Sequence, residues 1–124
     1  MSATATVCET AKKLIFSCSG AADVGAISDR AARCLSVAGV GKMYCLAGIG
    51  GHVCGILKNA EGASKMLAID GCDLDCAAKA LELAGFTHFE HLRLSDLGLE
   101  KGKASVNDEN VQKVFTEGMA KLAD

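Results

Sequence analysis

A chain of 124 residues, half of them apolar, is long enough to bury one good core and too short for two. Its 13 basic and 15 acidic residues are scattered and nearly cancel, which leaves no basic stripe for nucleic acid or an anionic membrane surface. No apolar run approaches the roughly 18 residues of a spanning helix, and Leu14 to Phe16 is too short for the hydrophobic part of an export signal, so the expected compartment is the cytoplasm.

Residues 1–12 are expected to form a flexible tail. A first strand, Lys13 to Ser17, closes at Cys18 and Gly20. Ile27, Ala31, Leu35 and Ala38 then recur at helical spacing until Gly39 supplies a stop. A second strand is expected over Lys42 to Leu46, then a loop Ala47-Gly48-Ile49-Gly50-Gly51 and a short helix with Val53, Ile56, Leu57 and Ala60 inward before Gly62. A third strand, Lys65 to Ile69, leads through the turn Asp70-Gly71-Cys72 into a helix from about Asp73 that carries Leu74, Ala77, Ala78, Leu81 and Ala84 before Gly85. A fourth strand around His88 to Leu94 is polar enough for a sheet edge. A closing helix over 105–124 is expected, with Ser105 and Asp108 as a capping box and Val111, Val114, Phe115, Met119 and Leu122 on one side.

Strands alternating with helices are covered on both faces, and Leu14-Ile15-Phe16 and Met66-Leu67-Ala68-Ile69 accordingly read as unbroken apolar runs. The expectation is one α/β domain over 1–124: a three-layer αβα sandwich around a small parallel sheet of about four strands, Rossmann-like, with a C-terminal helix. A solenoid is the rival reading of the repeat, but the units share nothing beyond a cysteine.

That cysteine carries the chemistry. Cys18, Cys45 and Cys72 are spaced by 27 residues, and each closes a strand and opens a glycine-containing turn. In open α/β sheets the functional crevice lies beyond the carboxyl ends of the strands. Cys76 follows Cys72 by four residues, so a helix begun by then would place both on one face. Seven cysteines in a reducing compartment favour metal ligands or redox thiols over disulfides.

Zinc accepts four thiolates in a tetrahedron, leaving a formal charge of about −2 that inward N–H donors must offset. Glycines at 20, 48, 50, 51 and 71 let the backbone turn such donors inward. Asp70 and Asp73 are candidates to hydrogen-bond around the ligands, with His52 as a substitute or outer partner. Asp73 and Asp75 serve equally well as helix-start residues. Cys34 and Cys54 read as packing residues and Cys8 as an exposed thiol. His88 and His91 should face opposite sides of their strand and not chelate one ion together.

Two other readings of the same thiols stay open. In a thiol redox enzyme, Cys72 at a helix start would have a depressed pKa and Cys76 would resolve it. Four cysteines also suit an iron–sulfur cluster. Gly48-x-Gly50-x-x-Val53 lacks the third glycine of a dinucleotide loop, and nothing names a reaction or substrate.

The segment Asp70-Gly71-Cys72-Asp73-Leu74-Asp75-Cys76 resembles the one for which the DGC-domain family is named. The resemblance extends to Phe16-Ser17-Cys18-Ser19-Gly20-Ala21-Ala22-Asp23-Val24-Gly25, Ile27-Ser28-Asp29-Arg30-Ala31-Ala32-Arg33, Cys45-Leu46-Ala47-Gly48-Ile49-Gly50 and Asp96-Leu97-Gly98 ahead of Lys101, covering roughly residues 14 to 101. It implies four shared cysteines, here Cys18, Cys45, Cys72 and Cys76, and zinc binding without an established reaction. Family descriptions speak of two zinc sites, whereas four thiolates fill one closed site. A second would have to recruit Cys34, Cys54, Cys8 or His52.

Overall fold

The computed structural model describes residues 12–124; Cys8 and the first eleven residues of the expected tail lie outside that range. Strand β1 (Lys13–Ser17) is followed by helix α1 (Asp23–Val37), β2 (Lys42–Met43), α2 (Leu46–Gly50) and α3 (Cys54–Glu61). Then come β3 (Lys65–Asp70), α4 (Cys76–Leu83), β4 (Glu90–Arg93), a 3-10 turn (Leu94–Leu97) and α5 (Asp108–Leu122). The four strands form one parallel sheet in the order β2-β1-β3-β4. The chain moves outward from β1 to β2, crosses back over β1 to β3, and continues to β4. Strand order therefore reverses between β1 and β3, the position where such sheets open a crevice at their carboxyl edge.

The strand alternation divides the core in two. Ile15, Leu67, Ile69 and Leu92 pack with Val24, Ile27, Ala31 and Leu35 of α1 and with Val111, Val114 and Leu122 of α5. Leu14, Phe16, Met66 and Ala68 point the other way and meet Ile49, Ala60, Ala77 and Leu81. Two covered faces give the three-layer αβα arrangement and explain why the strand sequences lack polar alternation. Helices α1 and α5 lie close because residue 118 is glycine: a Cβ there would stand 2.8 Å from Leu35 Cδ1.

Several local expectations are corrected. Strand β2 ends at Met43, and the segment read as a glycine loop is helical from Leu46 to Gly50, with Cys45 at its N-cap. Helix α4 begins at Cys76, not near Asp73, because Asp75 adopts the left-handed region (φ 56°, ψ 45°) that a helix cannot continue through. Helix α5 is capped by Asn107, whose side chain accepts from the N–H of Asn110, in place of the Ser105–Asp108 box. Met119 is exposed and Gly118 takes the inward position. Cys34 and Cys54, expected to pack inside, are exposed. Cys34 lies one position off the buried stripe of Ile27, Ala31 and Leu35, enough at about 100° per residue to turn it outward. Among the described residues no helix is long and apolar enough to cross a membrane.

Candidate metal centre

The site is set by how β1 and β3 end. The Cys18 N–H donates to the Ile69 carbonyl at 2.9 Å, continuing the ladder one residue past β1, and the Ser28 hydroxyl donates to the Cys18 carbonyl at 2.6 Å. Cys18 is thus fixed at the switch point beside the end of β3, from which Gly71 and Cys72 follow. Both turns need close backbone approach to α1. A Cβ on Gly25 would lie 2.5 Å from the Gly20 carbonyl oxygen, and one on Gly71 would lie 2.8 Å from Val24 Cγ2.

Cys18, Cys72 and Cys76 line one pocket of about 350 Å³, walled by Gly20, Ala21, Ala22, Val24, Gly25, Gly71 and Leu74 and edged by Lys101. Loss of water from the thiol and then the neighbouring Cys18 thiol, the Asp70 carboxylate and the Cys72 thiol push the pKa of Cys76 up. Negative charge therefore accumulates unfavourably there unless a cation offsets it. Three soft sulfur donors, two on turns and one opening α4, suit zinc. Sulfurs sharing a zinc ion stand roughly 3.7 Å apart by tetrahedral geometry at about 2.3 Å per bond. The trio is set wider than that, since among the described residues only Asp70, Asp75 and His91 bring three metal-capable atoms within 4.8 Å of one another.

Cys45 follows the end of β2, beside the β1 end that carries Cys18 and across β1 from Cys72 and Cys76. Its sulfur accepts the Gly48 N–H at 3.3 Å, capping α2. It borders a neighbouring cavity of about 820 Å³ with Ser17, Ser19, Asp29, Arg33, Tyr44 and Leu46. All four cysteines thus stand at the carboxyl edge, three in one pocket and the fourth next door. His52 is exposed just past α2 at φ 56°, and Asp73 is exposed in the turn before α4.

Asp70 is almost fully buried, at 1% exposure. Its carboxylate accepts the N–H groups of Ala77 (2.7 Å) and Ala78 (3.1 Å) and lies 2.8 Å from His91 Nε2. Asp70 caps α4 from the strand, a task that Asp75 at the N-cap leaves undone. Asp75 instead pairs with Arg93 through two bonds, Nε to Oδ1 at 2.8 Å and Nη2 to Oδ2 at 2.6 Å. The guanidinium holds the Asp75 carboxyl below the ordinary range. The Asp70–Asp75–His91 group is therefore already satisfied: two amides, an imidazole and a guanidinium fill the places a cation would take.

Sequence reasoning does not find His91 and Arg93 as parts of this site. The available signal is their i, i+2 spacing, which puts both on the face of the sheet that carries Asp70. Their pairing with a segment some twenty residues earlier is not visible in the sequence.

Lys101 sits in a loop held by Asp23 at the start of α1. The Asp23 carboxylate accepts from the N–H groups of Gly102 (3.0 Å), Ala104 (3.1 Å) and Val24 (2.8 Å). The loop turns at Gly102, whose φ of 86° suits glycine.

A family model described as DGC domain matches residues 14–117. The chain is also similar to the "Anaerobic and virulence modulator AnvM" of Pseudomonas aeruginosa, with 35% identity over 88 residues, 71% of this chain and 67% of the relative. No solved structure matches.

Proposed function

This chain belongs to the DGC-domain family, and from that premise we propose that it is a zinc-binding module of the cytoplasm, organised as one domain, whose metal site serves sensing or metal handling. The observation that carries the reading is the gathering of Cys18, Cys72 and Cys76 in one pocket at the topological switch point. Their thiolates form the core of the site. Cys45 joins them as fourth ligand when α2, whose first turn it caps, gives up the sulfur. Lys101 at the rim adds positive charge beside the thiolates, which lowers the cost of holding them ionised. A relative named as a modulator favours a regulatory role over catalysis.

The redox reading has less support. Cys72, the nucleophile of that reading, lies in a turn and not at the helix start that would activate it, since α4 begins only at Cys76. Elemental analysis of protein purified without oxygen tests the assignment. About one zinc per chain is expected, lowered in Cys18→Ser, Cys45→Ser, Cys72→Ser and Cys76→Ser and retained in Cys34→Ser. Brown protein with visible absorption bands would replace zinc by an iron–sulfur cluster. Protein without metal, whose thiol titration does not change when zinc is added, would overturn the reading.

A further inference from the structure

Cys76 is fixed from both sides. The residue before it, Asp75, is in the left-handed region and is gripped by the Arg93 fork. The two residues after it, Ala77 and Ala78, give their N–H groups to Asp70, whose second oxygen also lies 2.8 Å from His91 Nε2. His91 and Arg93 both come from β4, in register with Ala68 and Asp70 of β3. We propose that Arg93 and His91 are the positioning residues of the thiol site: acting through Asp75 and Asp70, they hold the backbone on both sides of Cys76 so that its sulfur points at Cys18 and Cys72.

The proposal deepens the zinc reading and rests on it for its purpose, but not for its geometry. A bare turn from Gly71 to Asp75 has many conformations, and only some aim residue 76 into the pocket. A bidentate ion pair between planar groups selects one of them more sharply than a single bond can. The left-handed Asp75 is the sign of that selection, since a non-glycine residue remains there only where its surroundings hold it. Arg93 contributes a fork and not merely a charge, because its Nε and Nη2 address different oxygens of one carboxylate. Lysine keeps the charge and loses the second bond.

The test uses the full-length reduced chain in Arg93→Ala, Arg93→Lys and His91→Ala forms, with Arg30→Ala, which breaks the exposed Arg30–Asp108 pair, as control. Alkylation of each cysteine in metal-free protein is followed by peptide mass spectrometry. Cys76 is expected to react at least about fivefold faster in Arg93→Ala, with Cys34 and Cys54 unchanged, and Arg93→Lys is expected to fall between Arg93→Ala and the unaltered chain. Zinc affinity should fall about tenfold or more, as loss of groups that orient metal ligands does, and the Co2+-loaded form should lose part of its thiolate charge-transfer absorption. Cys34 is already exposed and speeds little on unfolding, so circular dichroism of each variant reads the fold separately, and the ratio of Cys76 to Cys34 reports positioning in the variants that keep it. If Arg93→Ala does not fold, Arg93→Lys and His91→Ala carry the same ratio. Cys76 reacting at its original rate, relative to Cys34, in the folded variants overturns the proposal. If the unaltered chain takes up no zinc while the variants still release Cys76, the metal reading fails and the positioning stands.

Discussion

Gly25 shows how much of the site depends on single residues. It lies inside α1, where alanine would ordinarily help the helix, yet a Cβ would press on the Gly20 backbone at 2.5 to 3.0 Å. Gly25→Ala should therefore cost about 1–3 kcal/mol, as overpacking does, and push the Cys18 turn outward. Gly55→Ala is the contrast, since a Cβ at that helical position meets nothing within 4 Å and should be neutral or stabilise by up to about 1 kcal/mol. Thermal melts of the two variants check both, and equal losses would show that contact at Gly20 is not what matters. A sequence shows both glycines as helix-weakening residues; only packing gives them opposite signs. Asp70 stands out in the sequence by its place between a buried strand and a cysteine. His91 and Arg93 do not, because side chains about twenty residues away reach that segment only once β3 and β4 pair.

At the scale of elements, the 101–104 loop is tied to the start of α1 by one carboxylate. N–H donation from Gly102, with Val24 and Ala104 adding to it against a desolvation cost, lowers the Asp23 pKa. A carboxyl with a lowered folded-state pKa adds stability above its unfolded value, near 3.9, and loses it as pH falls through the folded value. The melting temperature of Asp23→Asn should thus lie below that of the unaltered chain at pH 7, and the gap should close below about pH 4. A gap constant with pH would place the loss in something other than the carboxylate charge. The same element shows what local patterning conveys. Helix α1 is legible from its apolar period, and α4 is legible except for its start, where the left-handed Asp75 delays it until Cys76.

For the whole molecule, helix α5 packs beside α1 and completes the cover of the same face of the sheet. Val111, Val114 and Leu122 are buried there, each contributing about 1.5–3 kcal/mol by removal from water, a sum comparable to the net stability of an ordinary domain. A chain ending at residue 104 should lose cooperative thermal unfolding followed by circular dichroism. A melt as sharp as that of the full chain would show that α1 and the sheet hold together alone.

The order of strands and helices, the parallel sheet and its two-sided core follow from apolar periods and turn residues, because these are local signals carried by neighbours in the chain. The recurrence of cysteine at strand ends likewise places Cys18, Cys45 and Cys72 at one edge. Which cysteines share a pocket is decided only by tertiary structure. Strand order puts β1, with Cys18 at its end, between Cys45 and the Cys72–Cys76 pair, and the reach from β4 back to Asp70 and Asp75 sets the turn that leads into Cys76. Such pairings depend on which strands lie side by side, and no interval along the chain encodes that.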